Sequence, residues 1–301
     1  MNKKLVIGIS VIVGGVLMAA TALASGSGST GYDVYKTAFK NTRAATSMTG
    51  TAAFTVADNG KVIVQSNGTV KMNQNTKAMS GVLNVTFDGQ TKTMTVYRQD
   101  DQTVTKSSDS DVYNVLAFEP GKHKGAKEWG HGHQNPALAK DMENIVDLLV
   151  GNYQNYISLD SKGEGMKEVS LALSDSQISP LVNAVASLAV RERALESEKN
   201  RHPSDPFASA IHDQLPKLVD QIRVTSVDVK ADIDDQNFIR EQTADITLTG
   251  KDAAGQDHEV VVSVDLNLSN INSTTPDSID LTGKSVKTIQ PEDVEQFCHR
   301  R

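Results

Sequence analysis

Apolar and polar residues alternate along two long parts of this chain, and this alternation constrains its fold more than any other sequence feature. It runs through residues 52–96 and returns through residues 227–268. Turns rich in Asp, Asn and Gly interrupt it at residues 58–60, 88–89, 234–237 and 252–256. Successive side chains of a strand point to opposite faces, and these turn residues tolerate the positive φ of tight hairpins. The pattern therefore predicts antiparallel meanders with one solvated face.

A block with helical spacing separates the two meanders. Residues 135–156 begin with an Asn-Pro pair that suits a helix start, and their apolar residues recur at helical intervals. A short strand is predicted over residues 168–173, followed by a helix from residue 179 and a third helical stretch over residues 205–222. Another amphipathic helix, over residues 32–45, precedes the first meander.

This order of elements predicts a domain of the α+β class. We expect a single strongly curved antiparallel sheet, an unclosed β-barrel, with helices packed on its concave face. The helical block is too apolar to be a linker, so strands on both sides of it should share one sheet. The domain is expected to span residues 32–287, and residues 288–301 to form a tail with a short helix.

The first 24 residues predict export. Two lysines precede an uncharged, mostly apolar run over residues 5–23, and residues 22–24 fit the small-x-small pattern of a signal-peptidase site. The run is also long enough for a retained membrane anchor, so both interpretations stay open. Residues 25–31 read as a Gly/Ser tether, with Gly26 where a lipoprotein carries its lipid-bearing cysteine. We expect an extracytoplasmic protein, secreted or N-terminally anchored at a Gram-positive cell membrane without a lipid.

Charge and motif content argue against several function classes. A net charge of −7 disfavours nucleic acid as a partner, because such binding rests on Lys and Arg at phosphates. Cys298 is the only cysteine, which excludes an internal disulfide and a cysteine metal cage. No G-x-S-x-G, S-x-x-K or H-E-x-x-H motif and no G-x-x-x-x-G-K-[ST] phosphate loop occurs. We therefore expect no enzymatic activity and no cofactor.

Periodicity disappears over residues 107–135, which predicts a long loop. The loop holds the only tryptophan, Trp129, and three histidines, His123, His131 and His133. Imidazoles bind zinc, copper or nickel, which makes these histidines candidate metal ligands. Their spacing in a Lys- and Gly-rich segment is more typical of a solvated loop, so no metal site is predicted. Trp129 caps a ligand cavity, anchors a partner or holds the loop on the core.

Three stretches carry a resemblance to a known family. They are GYDVYKTAFKNT at residues 31–42, SPLVNAVASLAV at residues 179–190, and NFIREQTADITLTGKDAAGQDHEVVVSVDLNLSNINSTTPDSIDLTGK at residues 237–284. The chain resembles exported Firmicutes cell-envelope proteins with a LolA/LppX-like architecture, that of the lipoprotein-carrier superfamily. The resemblance covers about residues 31–287 and implies an unclosed β-barrel whose mouth is covered by helices. It brings no catalytic residue.

The expected function follows from this resemblance. It is a noncatalytic extracytoplasmic module that binds an apolar or amphiphilic, lipid-like envelope molecule between sheet and helices. Residues expected to line the cavity are Met142, Ile145, Leu149, Val182, Val185, Leu188 and Trp129. Ordinary core packing is the alternative for each of these side chains. The alternative function is a protein-interaction or envelope-stress sensor module with a packed core, which contacts a membrane protein partner.

Overall fold

A computed structural model describes residues 30–117, 153–199 and 214–289 of the chain. Twelve strands form one sheet in the order β12-β6-β5-β4-β3-β2-β1-β11-β10-β9-β8-β7. The strands are β1 Ser47–Asp58, β2 Lys61–Asn73, β3 Ala78–Phe87, β4 Gln90–Gln99, β5 Gln102–Ser107, β6 Tyr113–Ala117, β7 Ile157–Gly163, β8 Met166–Ser174, β9 Asp220–Ile233, β10 Ile239–Lys251, β11 Asp257–Ser269 and β12 Val286–Ile289. Because β12 and β7 end the sheet, it is curved but unclosed, and this part of the predicted fold class is confirmed.

Strand β1 joins the two halves of the chain. It pairs with its sequence neighbour β2 and, on its other side, with β11, about 200 residues further along the chain. The prediction that both meanders share one sheet is therefore confirmed. All pairings are antiparallel except that of β12 with β6, which is parallel. The expectation of an antiparallel sheet is wrong at this edge, because the chain crosses the sheet to place β12 beside β6 instead of turning back through a hairpin.

The predicted hairpin turns are confirmed. Asn59 and Gly60 have φ values of 49° and 79°, and Asp88 and Gly89 have φ values of 47° and 69°. Two residues in succession with positive φ match the twist of the strands that they connect. The turns at residues 234–237 and 252–256 also lie where the sequence predicts them.

Two α-helices lie in the described part of the chain. Helix α1 is Gly31–Ala44 and helix α2 is Pro180–Lys199. A capping box starts α1: the Thr30 hydroxyl accepts from the Asp33 N–H at 3.3 Å, and the Asp33 carboxylate accepts from the Thr30 N–H at 3.2 Å. Neither helix has the length and apolar character that a membrane span requires.

Three predicted elements differ from the structure. Residues 113–117, expected in a loop, form β6. Residues 154–156, expected at the end of a helix, form a short 3-10 turn that leads into β7, and Ile222, expected in a helix, lies in β9. In each case a short segment takes its conformation from neighbouring strands, and tertiary pairing overrides local periodicity.

Both helices pack on the same face of the sheet, here called the helix face. Phe39 of α1 packs in a cluster with Leu266, and Val190 of α2 packs against a cluster that contains Val260. Leu266 and Val260 both belong to β11 and are six residues apart, so their side chains point to the same side. The core of the described chain therefore lies between the helix face and the helices.

Residues 270–285 cross the opposite face of the sheet and are here called the strap. The Thr274 N–H donates to the Ser47 hydroxyl of β1 at 3.0 Å. Asp277 pairs with Lys71 of β2 at 2.9 Å. The Gln99 side chain of β4 donates to the Ile279 carbonyl and accepts from the Ile279 N–H, both at 2.8 Å. The strap thus carries the chain from β11 to the far edge of the sheet, where β12 pairs with β6.

Candidate functional site

A row of methionines crosses the helix face. Met48 of β1 lies opposite Met72 of β2, and Met72 lies opposite Met79 of β3. Met94 of β4 lies two rows away on the same face, opposite Leu83. These four methionines, here called the methionine patch, are half the methionines of the chain, and all four are half-buried. Methionine is flexible and polarisable, and it is common on surfaces that accept apolar ligands of varied shape.

The helices cover a different part of this face. Helix α1 contacts strands β7–β10, and α2 contacts β9. Met48 of β1 packs against the cluster that contains Phe39 of α1, whereas Met72, Met79 and Met94 lie on strands β2–β4, on the far side of β1 from these contacts. The methionine patch is therefore an apolar surface on the helix face of the sheet, beside the core that the helices form.

The methionine row ends at a polar pair. Met79 lies opposite Arg98 of β4, and Arg98 lies opposite Thr103 of β5. Thr103 is buried, at 4% exposure, and its hydroxyl has no hydrogen-bond partner among the described residues. Leaving such a hydroxyl unpaired costs about 1–3 kcal/mol. The row thus combines a flexible apolar surface with a cation and an unsatisfied hydroxyl at one end.

Charge is distributed unevenly along the sheet. Strands β2–β6 and β12 carry six cationic residues: Lys61, Lys71, Lys92, Arg98, Lys106 and Lys287. The carboxylates of the described strands all lie in β1 and β7–β11. The adjoining turns and the strap balance these cations, since Lys71 pairs with Asp277, Lys92 with Asp109 and Lys106 with Asp111.

The predicted cavity residues of α2 do not all face the sheet. Val182 is half-buried and packs near Leu173 and Val224. Val185 and Leu188 are exposed, at 39% and 61%, so the expectation that they face inward is wrong. Apolar residues occur on every side of this helix, and periodicity therefore did not select the side that packs.

The other predicted site residues lie outside the described part of the chain. These are Met142, Ile145, Leu149 and Trp129 among the cavity residues, and the loop histidines His123, His131 and His133. Within the described residues, no cluster of three or more His, Cys, Asp or Glu side chains could hold a metal ion.

A second polar site lies at the hairpin end of the sheet, around His258. The His258 Nδ1 atom is 2.9 Å from an Asp58 carboxylate oxygen, and Nε2 is 3.6 Å from a carboxylate oxygen of Asp252. A polar cleft of about 220 Å³, lined in part by Lys251 and Glu259, lies beside the ring. Both ring nitrogens face carboxylates rather than a hydroxyl or thiol, so the arrangement connects two hairpins instead of activating a nucleophile.

This environment changes the proton affinity of His258. Burial opposes the charged imidazolium, but the hydrogen bond and charge of Asp58, together with the nearby carboxylate of Asp252, more than offset it, so the pKa of His258 is raised. Backbone N–H groups, first that of Gln256, together with His258 lower the pKa of Asp252. The folded state therefore favours the protonated form of His258 and the ionised form of Asp252.

We expect the stability of the domain to depend on this histidine. A raised folded pKa stabilises the fold fully below the unfolded value of about 6.5, and this contribution is lost as pH rises through the folded pKa. The urea concentration at the unfolding midpoint of the native protein should therefore decrease as the pH is raised from 6 to 8.5. In the variant His258→Gln this fall should disappear, and an unchanged pH profile would show that other groups dominate.

Sequence reasoning missed this site. Asp58 and His258 are 200 residues apart, and only the pairing of β1 with β11 brings them together. The available signal was weak: Asp58 and Asp252 both belong to predicted turns, and His258 follows the second of them. Turn positions alone do not show which hairpin ends meet.

Comparisons with known proteins do not identify a family or a function for this chain. No protein-family model matches the chain, and no curated protein matches it. One similar solved structure is a β-barrel-like protein of the domain of unknown function DUF1849 from Brucella abortus, at 12% identity over 75% of this chain and 99% of that chain, with a TM-score of 0.18. Another is the bifunctional dehydratase-cyclase domain in ambruticin biosynthesis, at 11% identity over 78% of this chain and 79% of that chain, with a TM-score of 0.12. Scores this low establish neither a shared fold nor a shared function.

Proposed function

We propose that this protein is a noncatalytic extracytoplasmic module that binds an apolar or amphiphilic envelope molecule. The binding surface is the methionine patch, and the helix face is the concave side of the curved sheet. The observation that carries the proposal is the position of the patch: three of its four half-buried methionines, Met72, Met79 and Met94, lie on strands β2–β4, on the core side of an unclosed sheet and beyond the strands that α1 and α2 mainly contact.

The residue types of the patch suit an apolar ligand. Met72 and Met79 are neighbours across two strands, and Gly68 and Gly81 lie close to them on the same face. Flexible thioethers adjust to the shape of the ligand that binds against them. Strand side chains that pack only against a fixed core are more often Val, Ile or Leu, whose rotamers are better defined.

The cellular setting rests on the first 24 residues, which predict export or N-terminal anchoring. An envelope location gives the protein access to lipids and other amphiphiles. No recognisable catalytic motif occurs in the sequence, and both ring nitrogens of His258 face carboxylates. These two observations favour binding over catalysis.

A protein-interaction module with a packed core is the second candidate, and α2 provides the observation that favours it. Leu181, Val185 and Leu188 lie on one side of this helix and are 38%, 39% and 61% exposed. Exposed apolar side chains at intervals of three to four residues are typical of a helix surface that another protein covers.

Binding of a neutral apolar probe, N-phenyl-1-naphthylamine, tests the first candidate. The native protein should bind the probe and enhance its fluorescence. The double variant Met72→Gln/Met79→Gln keeps the side-chain length but puts two amides against the ligand. A penalty of about 1–2 kcal/mol for unpaired amides should weaken binding roughly 5- to 30-fold.

The matched control is Val82→Gln, on the same strand as Met79 but on the opposite face and 41% exposed. It should bind the probe like the native protein. Absence of probe binding by the native protein, together with native mass spectrometry that shows no copurified lipid, would overturn the carrier function and leave the interaction module.

A further inference from the structure

We infer that the methionine row is a binding site for a monovalent copper ion, with the thioether sulfurs of Met48, Met72 and Met79 as its ligands. This inference goes beyond the proposed function, because its ligand is an ion and it stands even if no lipid-like molecule binds. Such a site needs three soft donors that can meet at one point, access for the ion, and partial shielding from water.

The pairing of β1, β2 and β3 brings the three methionines within reach of one another. Met48 lies directly opposite Met72, and Met72 lies directly opposite Met79. Residues opposed in this way lie on the same face, with Cβ atoms about 4.5–5.5 Å apart. Each methionine has three rotatable side-chain bonds, so the outer two thioethers can turn toward Met72 in the centre. Three sulfurs can therefore converge on one ion.

Burial of the row suits an ion that enters from solvent. All three side chains are half-buried, so they are neither sealed in the core nor fully hydrated. Met48 packs against the cluster that contains Phe39 and Leu268, which shields that end of the row. Met72 and Met79 lie beyond the strands that the helices mainly contact, which leaves a path to them. An apolar shell of this kind limits water at a metal site and strengthens its interactions with the ligands.

The donor type selects the ion. Soft sulfur ligands such as thioethers select Cu(I), whereas carboxylates, carbonyls and water suit Mg, Ca and Mn. A thioether carries no proton, so it binds a metal without first having to lose one, unlike a thiol. Arg98 follows Met79 in the row, and its charge repels a divalent ion more strongly than a monovalent one. The charge and the softness of the site therefore both favour Cu(I).

The test measures the Cu(I) affinity of the full-length protein under anaerobic conditions, by competition with the chelator bicinchoninate. Cys298→Ser is the common background, because a thiol also binds Cu(I). At pH 5 imidazoles, with an unperturbed pKa of about 6.5, are mostly protonated and bind metals poorly, whereas thioethers are unaffected. The background protein should bind one Cu(I) per chain at this pH.

The variant Met72→Leu/Met79→Leu keeps the row apolar and nearly conserves its volume, but it removes two of the three sulfurs. Its Cu(I) affinity should fall by roughly tenfold or more, since changes in outer-shell partners alone cost about 10–100-fold. The matched control is Met166→Leu, which replaces a half-buried methionine of β8 outside the row and should bind Cu(I) like the background protein. Labelling with selenomethionine identifies the donors, because X-ray absorption at the copper edge should then show copper–selenium scattering.

The copper site is overturned if no Cu(I) binds at pH 5, if the double variant binds as tightly as the control, or if copper–selenium scattering is absent. Far-UV dichroism checks that the variants are folded, and Met72→Leu alone decides the question if the double variant is not. Because leucine is apolar, the double variant should still bind N-phenyl-1-naphthylamine if the proposed function is correct. Loss of probe binding by the native protein would thus reject the proposed function without touching the copper site, and loss of Cu(I) binding would do the reverse.

Discussion

Replacing Ile233 by alanine is expected to destabilise the domain by about 2–5 kcal/mol. Ile233 is completely buried at the end of β9, in the cluster that joins α1 to the sheet. Its side chain shares this cluster with Phe39 of α1 and Ile239 of β10. Truncation removes apolar contacts and leaves a cavity that a helix and two strands cannot easily close. The free energy of unfolding in urea, followed by far-UV dichroism, measures the loss.

Lys230→Ala is the matched control for this prediction. Lys230 lies three residues earlier on the same strand, points to the opposite face and is exposed. Its removal should change stability by less than about 0.5 kcal/mol. Similar losses in both variants would mean that the strand faces are assigned wrongly or that α1 does not pack on this sheet.

The fold was predictable where local signals decide it. The four hairpin turns lie where Asp, Asn and Gly interrupt the alternation, because these residues accept positive φ at low cost. The amphipathic helix predicted over residues 32–45 is also confirmed, since α1 covers Gly31–Ala44 and buries Tyr32, Ala38, Phe39 and Thr42. In these regions local propensity and tertiary packing favour the same structure.

Prediction failed where long-range contacts decide. Strand β12 has only four residues, 286–289, and becomes a strand because the strap delivers it to β6. Strand β7 has a mostly exposed, polar sequence, and its pairing with β8 rather than any alternation identifies it as a strand. In α2, apolar residues surround the helix, so only the position of β9 determines that Val182 packs and Leu188 does not.

The candidate site illustrates the same limit. Met72 and Met79 are close in sequence, and the hairpin between them predicts that they are neighbours. Arg98 and Thr103 also form a short-range pair, but the alignment of both pairs in one row depends on the register of four consecutive strands. Every turn between these strands contributes to their register. A sequence pattern alone therefore predicts the two neighbouring pairs but not their alignment in one row.

Adding a single methyl group at Gly68 is expected to destabilise the sheet by about 1–3 kcal/mol. Gly68 lies in the middle of β2, opposite Leu83 of β3. A Cβ atom at this position would lie 2.6 Å from the backbone carbonyl oxygen of Val82. Real Cβ atoms do not approach that closely, and a backbone atom held in a strand pair cannot move aside as a flexible side chain can. Gly68→Ala must therefore shift β2 against β3, directly beside the methionine patch.

Gly50→Ala provides the comparison, because Gly50 also lies within a strand, on neighbouring β1. Its Cβ would meet only the end of the Leu268 side chain, at 3.4 Å. Alanine also loses less backbone freedom on folding than glycine, by roughly 0.5–1 kcal/mol, so Gly50→Ala should be neutral or slightly stabilising. Urea unfolding of the two variants under the same conditions should give effects of opposite sign, or a clear loss for Gly68→Ala alone. Equal stability of both variants would show that β2 and β3 are further apart at Gly68 than the structure places them. The sheet surface proposed to contact the ligand would then be wider as well.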